Sequence, residues 1–398
     1  MRMNDTGTPA QREPTCSIDE SEHVRHVREL VIAEIAAAGG WLSFERYMDL
    51  VLYAPGLGYY SAGARKLGPD GDFTTAPEVS ALFGACVARQ CAEVLERLGD
   101  ASILEIGAGN GTLAAELLEQ LERADRLPAR YRILEISADL RMRQRECLQR
   151  RTPHLLDRVE WLDAPPSLAF DGIILANEVL DALPVRRFRW SAAQVEEMGV
   201  VDEGATLGWA ARIAGASTAA ACSRLAAACG PWDDGYVSEY CPRLGPWTAQ
   251  ITRSLRAGAV LWFDYGLPRA HYYLPERRDG TLLCHFRHRA VADPFRLPGL
   301  QDLTAWVDFT ALAEAGSAAE FNLAGYTTQT YFLAGTGIDR EMQTLAGENA
   351  GRHARLANEA RQLMMPGEMG ERFKAMAWLR GLEAELCGFA LRDLRHTL

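Results

Sequence analysis

The sequence predicts an α/β fold: a doubly wound parallel sheet with a helical N-terminal extension and inserted segments. Three observations predict it. From residue 101 onward, short apolar runs of strand length alternate with helix-length periodic stretches. A glycine-rich turn joins the first of these strands to its helix. The interval between the fourth and fifth strands is much longer than a crossover helix needs.

Each element follows from its own residues. Residues 23–38 place Val24, Val27, Leu30, Val31 and Ile35 at helical spacing, and the stretch stops at Gly39-Gly40. A second helix is predicted over 43–52, ahead of Pro55, followed by an irregular Gly- and aromatic-rich loop over 56–71. A long helix is predicted over 78–98, with Thr75 and Pro77 as its starting signals. Strands are then expected at 102–106, 131–136, 159–162, 170–176 and 258–264, with helices at 113–122 and from about 137 to 150. A helix over 302–315, a strand over 323–331 and a last strand over 373–379 close the pattern.

The domain organisation expected from this pattern is a disordered stretch over 1–21 and a helical and loop extension over 22–100. The core spans 101–385, and a tail covers 386–398. Two insertions interrupt the core, at about 185–245 and 269–299, the first with an Ala-rich stretch over 210–228.

Composition narrows the function classes. Among 398 residues, 53 acids against 42 Lys and Arg give a net charge of −11, unsuited to a general phosphate-backbone binder but compatible with a basic peptide substrate. No apolar run is long enough for a membrane-spanning helix. The nine cysteines form no CxxC pair and no His/Cys metal spacing, so they read as reduced thiols in a cytoplasmic protein. The N-terminus lacks a signal-peptide core, and Asp5, Glu13, Asp19 and Glu20 are acids that a mitochondrial presequence avoids.

The nucleotide site is expected at the first strand–helix turn, Glu105-Ile106-Gly107-Ala108-Gly109-Asn110-Gly111. Gly107 and Gly109, with Ala108 between them, let the backbone approach a ligand closely. Glu105, inside the strand, can bind or orient a ligand amino group, and Thr112 stands where a dinucleotide fingerprint needs its last glycine. Glu135 ends the second strand, where a carboxylate accepts from ribose hydroxyls, with Ile136 beside it. Asp163, after the third strand, is a candidate for the adenine amino group. Gly71, Asp72 and Phe73 add a carboxylate and an aromatic face suited to a sulfonium. Together these residues favour S-adenosylmethionine over NAD.

Asn177, Glu178 and Asp181 follow the fourth strand, at the end of the sheet where open α/β proteins bind ligands. No Asn-Pro-Pro-Tyr motif, the usual mark of amide or adenine methylation, is present. Two carboxylates suit a guanidinium, whose planar fork of donors they can orient. Asp264 and Tyr265 end the fifth strand on the same rim. His271, His285 and His288 show no metal spacing and belong more naturally to a substrate-covering loop; Cys241 has no His partner nearby in sequence. Two alternatives stand beside the methyltransferase reading: a non-catalytic assembly module that keeps the fold, and an NAD-dependent oxidoreductase. Intact Glu105, Gly107, Gly109 and Glu135 disfavour the first, and the missing GxGxxG disfavours the second.

With these residues in place, the chain resembles the MidA family over about residues 44–379. The resemblance rests on Gly-Tyr-Tyr at 58–60, Gly-Asp-Phe-Thr-Thr-Ala-Pro-Glu at 71–78, and Glu-Ile-Gly-Ala-Gly-Asn-Gly-Thr-Leu at 105–113. It also rests on Leu-Glu-Ile-Ser at 134–137, Asn-Glu-Val-Leu-Asp-Ala-Leu-Pro-Val at 177–185, Asp-Tyr-Gly at 264–266, and the segments at 302–309 and 369–373. It implies a class I methyltransferase fold and S-adenosyl-L-methionine as cofactor. It also implies arginine N-methylation of a partner protein, in the mitochondrial members a subunit of respiratory complex I. A bacterial, cytoplasmic member without metal is the resulting expectation.

Overall fold

The strands that run apolar on both faces decide the centre of the molecule, since each must be covered from both sides. The computed structural model describes residues 17–62, 75–287 and 289–398. Most of the N-terminal stretch expected to be disordered therefore lies outside the described residues, as does His288.

The chain opens with α1 (Ile18–Ala37), β1 (Leu42–Ser43) and α2 (Phe44–Tyr53). α1 starts five residues before the predicted point because Ser17 and Glu20 form a reciprocal capping box, at 2.7 and 3.2 Å. The predicted 78–98 helix is two helices, α3 (Ala76–Val79) and α4 (Ala81–Leu98). Ser80 breaks it: its backbone is extended, and its hydroxyl caps α4 by accepting from the Leu82 amide at 3.2 Å.

Strand–helix alternation follows: β2 (Ser102–Ile106), α5 (Thr112–Arg123), β3 (Tyr131–Leu134), α6 (Ala138–Arg151), β4 (Val159–Leu162) and β5 (Phe170–Asn177). The next segment holds β6 (Arg186–Trp190), β7 (Glu196–Asp202), β8 (Leu207–Ile213), α7 (Ala216–Cys229), β9 (Tyr236–Tyr240) and α8 (Leu244–Thr252). The Ala-rich stretch is thus helical only from residue 216. β10 (Leu255–Leu267) returns to the centre. α9 (Arg269–Tyr272), β11 (Leu283–Phe286), β12 (Arg289–Val291), β13 (Asp302–Thr304) and β14 (Val307–Asp308) follow. α10 (Phe309–Ala318) starts later than the predicted 302, because Asp302–Thr304 pairs with β11 and Asp308 caps the helix through the Ala311 amide. Last come β15 (Asn322–Thr328), α11 (Gln329–Thr336), α12 (Ile338–Ala346), α13 (Ala350–Met364) and β16 (Phe373–Arg380).

The central sheet has the order β4-β3-β2-β5-β10-β16-β15, with β14 extending the edge of β10. Its strands are parallel except β16, which runs antiparallel to both neighbours. This is a doubly wound sheet of the class I methyltransferase type. One face is covered by α4, α5, α6 and the α11–α13 group, through residues such as Leu117, Leu118, Phe332 and Leu363. The other is covered by α8 and α10, through Leu244, Ile251 and Leu312. β6, β7, β8 and β9 join β1 in a second, antiparallel sheet. α1 and α2 pack on that sheet, not on the central one: Val27, Val31, Phe44 and Val51 share a core with Val185, Val200 and Leu207. Among the described residues, no helix is long and apolar enough to cross a membrane.

Candidate active site

Parallel strands end together, so their C-terminal tips leave a crevice where ligands meet loop residues. Here the tips of β2, β3 and β5 line a cleft of about 390 Å³, closed on its far side by Tyr53 and Tyr60 and by Trp247 of α8. The turn after β2 bends into it through left-handed backbone at Gly107 (φ 64°) and Gly109 (φ 53°). A Cβ on Gly107 would sit 3.1 Å from Val179 Cγ2, so the turn is packed as well as bent.

Glu105 lines the cleft but is already engaged. Its Oε2 accepts from the Tyr131 hydroxyl at 2.7 Å, and burial pushes the carboxyl up to about 7 against the lowering effect of that bond. Glu135, at the tip of β3, accepts from the Ser137 amide at 2.9 Å through Oε1 and from Gln144 Nε2 at 3.1 Å through Oε2. Burial raises this carboxyl too, although four neighbouring bonds and charges, Ser137 first, oppose the rise. Ile136, beside it, is 68% exposed on the cleft wall. Ala108 and Gly109 complete this side.

Two features test whether the site fits a nucleoside. Among the described residues, Asn110 Oδ1 is buried in the cleft wall without a hydrogen-bond partner, and the aliphatic side chain of Ile136 is exposed. Unmet polar and apolar surface in one cleft fits a ligand with a polar chain and a flat base. Asp163, expected at the adenine amino group, is 90% exposed in its side chain and paired with Arg141 at 2.5 Å, outside the cleft. β4 ends one residue earlier, and the following turn directs the side chain to solvent. Gly71, Asp72 and Phe73 lie outside the described residues.

At the tip of β5, Glu178 adopts φ 54°, unusual for a residue with a Cβ, and its carboxyl lines the cleft. Oε1 accepts from the Ala76 amide at 3.3 Å and from Asn177 Nδ2 at 3.1 Å. Neither partner is a cation. Burial, then the charge of Asp181, pushes the carboxyl up to about 8. Asn177 Oδ1 is buried without a partner among the described residues.

Asp181 does not itself line the cleft, but its charge acts on three residues that do, Glu178, Tyr53 and Tyr60. It is 5% exposed, sits behind the wall toward Tyr265, and burial pushes it up to about 6. Asp264 explains the arrangement. Its Oδ2 accepts from three successive amides, of Val179, Leu180 and Asp181, at 3.2, 2.9 and 3.3 Å. That grip fixes the turn in which Glu178 reaches the cleft surface and Asp181 stays buried just behind it. Asp264 and Tyr265, expected on the rim, are therefore behind it.

Sequence reasoning assigned no role to Tyr53, Tyr60, Asn110 or Gln144. The two tyrosines stack at 5.6 Å and 22°, and Tyr60 donates to Asp302 Oδ1 at 3.0 Å. The Gly-Tyr-Tyr motif flagged Tyr60 without giving it a task. Neither His271 nor His285 lines the cleft, and among the described residues no group of three or more metal-ligating side chains occurs.

Comparisons with known proteins identify the family. Residues 86–327 match the family described as "Putative S-adenosyl-L-methionine-dependent methyltransferase". A crystal structure of a Burkholderia thailandensis protein bound to S-adenosyl-homocysteine superposes with a TM-score of 0.92 at 42% identity, covering 97% of this chain and 100% of that one. Two relatives named protein arginine methyltransferase NDUFAF7, mitochondrial, are each 28% identical. The zebrafish protein matches over 88% of this chain and 85% of its own length, and the rat protein over 90% and 86%.

Proposed function

This chain belongs to the MidA family of S-adenosyl-L-methionine-dependent methyltransferases, and on that premise we propose that it methylates a guanidinium nitrogen of an arginine on a partner protein. S-adenosyl-L-methionine supplies the methyl group on a sulfonium sulfur. Glu135 would accept from its ribose hydroxyls, Ile136 and Leu140 would hold its base, and the 107–109 turn would hold its amino-acid portion.

Glu178 carries the reading. It is an acid held at a strained backbone position, buried in the cleft, with no cationic partner among the described residues. An arriving guanidinium supplies that partner and draws the carboxyl into its ionised form. Bidentate pairing then orients one nitrogen toward the methyl group. A nitrogen that gains a methyl group must give up a proton, which Glu178 would take and pass to solvent. The methylated product keeps its positive charge, so the carboxylate stabilises it throughout. The names of the mitochondrial relatives support an arginine on a protein as acceptor.

Incubation with labelled S-adenosyl-L-methionine and arginine-containing peptides or respiratory complex I subunits, followed by acid hydrolysis, tests this. Label is expected in methylarginine. Label confined to methyl-lysine, or to small molecules alone, overturns it.

A further inference from the structure

We propose that Gln144 is a positioning residue for the nucleoside end of the site, locking the glycine turn and the ribose-binding carboxylate into one arrangement before the cofactor arrives. The proposal rests on the cofactor assignment and is independent of the arginine acceptor.

Gln144 lies on α6 and is fully buried. Its one amide group makes three bonds to three different strand ends. Nε2 donates to Gly109 O at 3.0 Å and to Glu135 Oε2 at 3.1 Å, and Oε1 accepts from Trp161 Nε1 at 3.0 Å. The amide orientation is dictated by its neighbours. An indole N–H only donates, and a carbonyl only accepts, so the reversed amide would lose all three bonds. The backbone is committed as well: a Cβ on Gly111 would come within 2.9 Å of Gln144 Cα, so α6 lies directly on the turn.

Gly109 and Glu135 are both cofactor-side groups, one on the turn after β2 and one at the tip of β3. Gln144 fixes their spacing while leaving the other lone pairs of Glu135 for a ligand. The bond also favours the ionised form of Glu135, working with the Ser137 and Ile136 amides and Arg141, and against burial and the nearby Glu105. Trp161 in turn fixes Gln144, and its ring stacks beneath the Arg145 guanidinium at 4.7 Å.

The test is calorimetric titration of the full-length protein with S-adenosyl-homocysteine across pH, with circular dichroism and thermal melts as the measure of folding. Gln144→Met keeps the shape and removes both donors. It is expected to raise Kd about tenfold, the size of one lost bond to a charged group, and to move the pH midpoint of binding upward. A folded variant with wild-type Kd and wild-type pH midpoint overturns the proposal, as does a wild-type protein that fails to bind, which sinks the cofactor assignment too. Should Gln144→Met not fold, Trp161→Phe serves: it removes the indole N–H that anchors the amide and keeps an aromatic ring beside Arg145. A smaller rise in Kd in the same direction supports the proposal, and an unchanged Kd overturns it.

Discussion

Glu178 combines two features that work against folding and one that favours chemistry. Left-handed backbone at a residue with a Cβ costs about 1–3 kcal/mol, and the carboxyl is buried without a cation beside it among the described residues. Its pKa is raised from 4.5 to about 8, so the folded protein retains a proton that the unfolded chain releases. Its contribution to stability is therefore fully present below about pH 4.5 and is lost as pH rises through about 8. Glu178→Gln keeps the shape and removes the titration. It is expected to melt several degrees above the wild type at pH 9 but close to it at pH 5, while transfer is abolished and S-adenosyl-homocysteine affinity stays within about twofold. Differential scanning fluorimetry at the two pH values decides the first part. An equal offset at both would mean that the carboxyl does not titrate in this window. Loss of cofactor affinity along with transfer would place Glu178 in the cofactor site instead.

At the scale of elements, the turn between β5 and residue 185 depends on a side chain more than 80 positions away. Asp264, fully buried on β10, satisfies three amides that no helix or strand partner reaches. Asp264→Ala leaves those amides unsatisfied and is expected to cost about 3 kcal/mol, each orphaned group contributing roughly 1 kcal/mol or more. Urea unfolding measures that loss. Transfer should fall further than cofactor binding, because the turn aims Glu178 and does not form the nucleoside side. A variant that loses both equally would show that the turn supports the whole cleft.

Over the whole molecule, the cleft is formed by two packed bodies. Its floor is the tips of the central sheet. Part of its outer wall is α2, which is packed on the second sheet, and Asp49, Tyr53 and Arg243 line that side. Glu45 ties the two together: it is nearly buried, and its oxygens accept from Arg186 Nε and Arg243 Nε, both at 2.7 Å. Both arginines are partly exposed, so the network is worth only about 1 kcal/mol to stability. Its larger effect is on wall position. Glu45→Ala is expected to raise the KM of an acceptor peptide several-fold and leave S-adenosyl-homocysteine affinity unchanged. Steady-state kinetics with calorimetry checks this, and an unchanged KM would detach the second sheet from acceptor binding.

Much of this was legible along the chain because its physics is local. Alternating apolar runs mark strands buried on both faces, and the Glu105–Gly111 turn carries its own conformational demand. The carboxylates after β3 and β5 sit at strand ends wherever those strands pack. The capping of α1 by Ser17 and the break at Ser80 depend on neighbours three residues apart or fewer, and they displaced predicted boundaries without changing the elements. What only the tertiary structure decided was direction and partnership. How the turn after β5 presents Glu178 depends on Asp264, Asp163 turns outward to Arg141, and Gln144 acquires its three partners from segments that meet only in the folded sheet. A side chain's chemistry is written at its own position, but its orientation is set by groups that sequence separation hides and packing brings within hydrogen-bond reach.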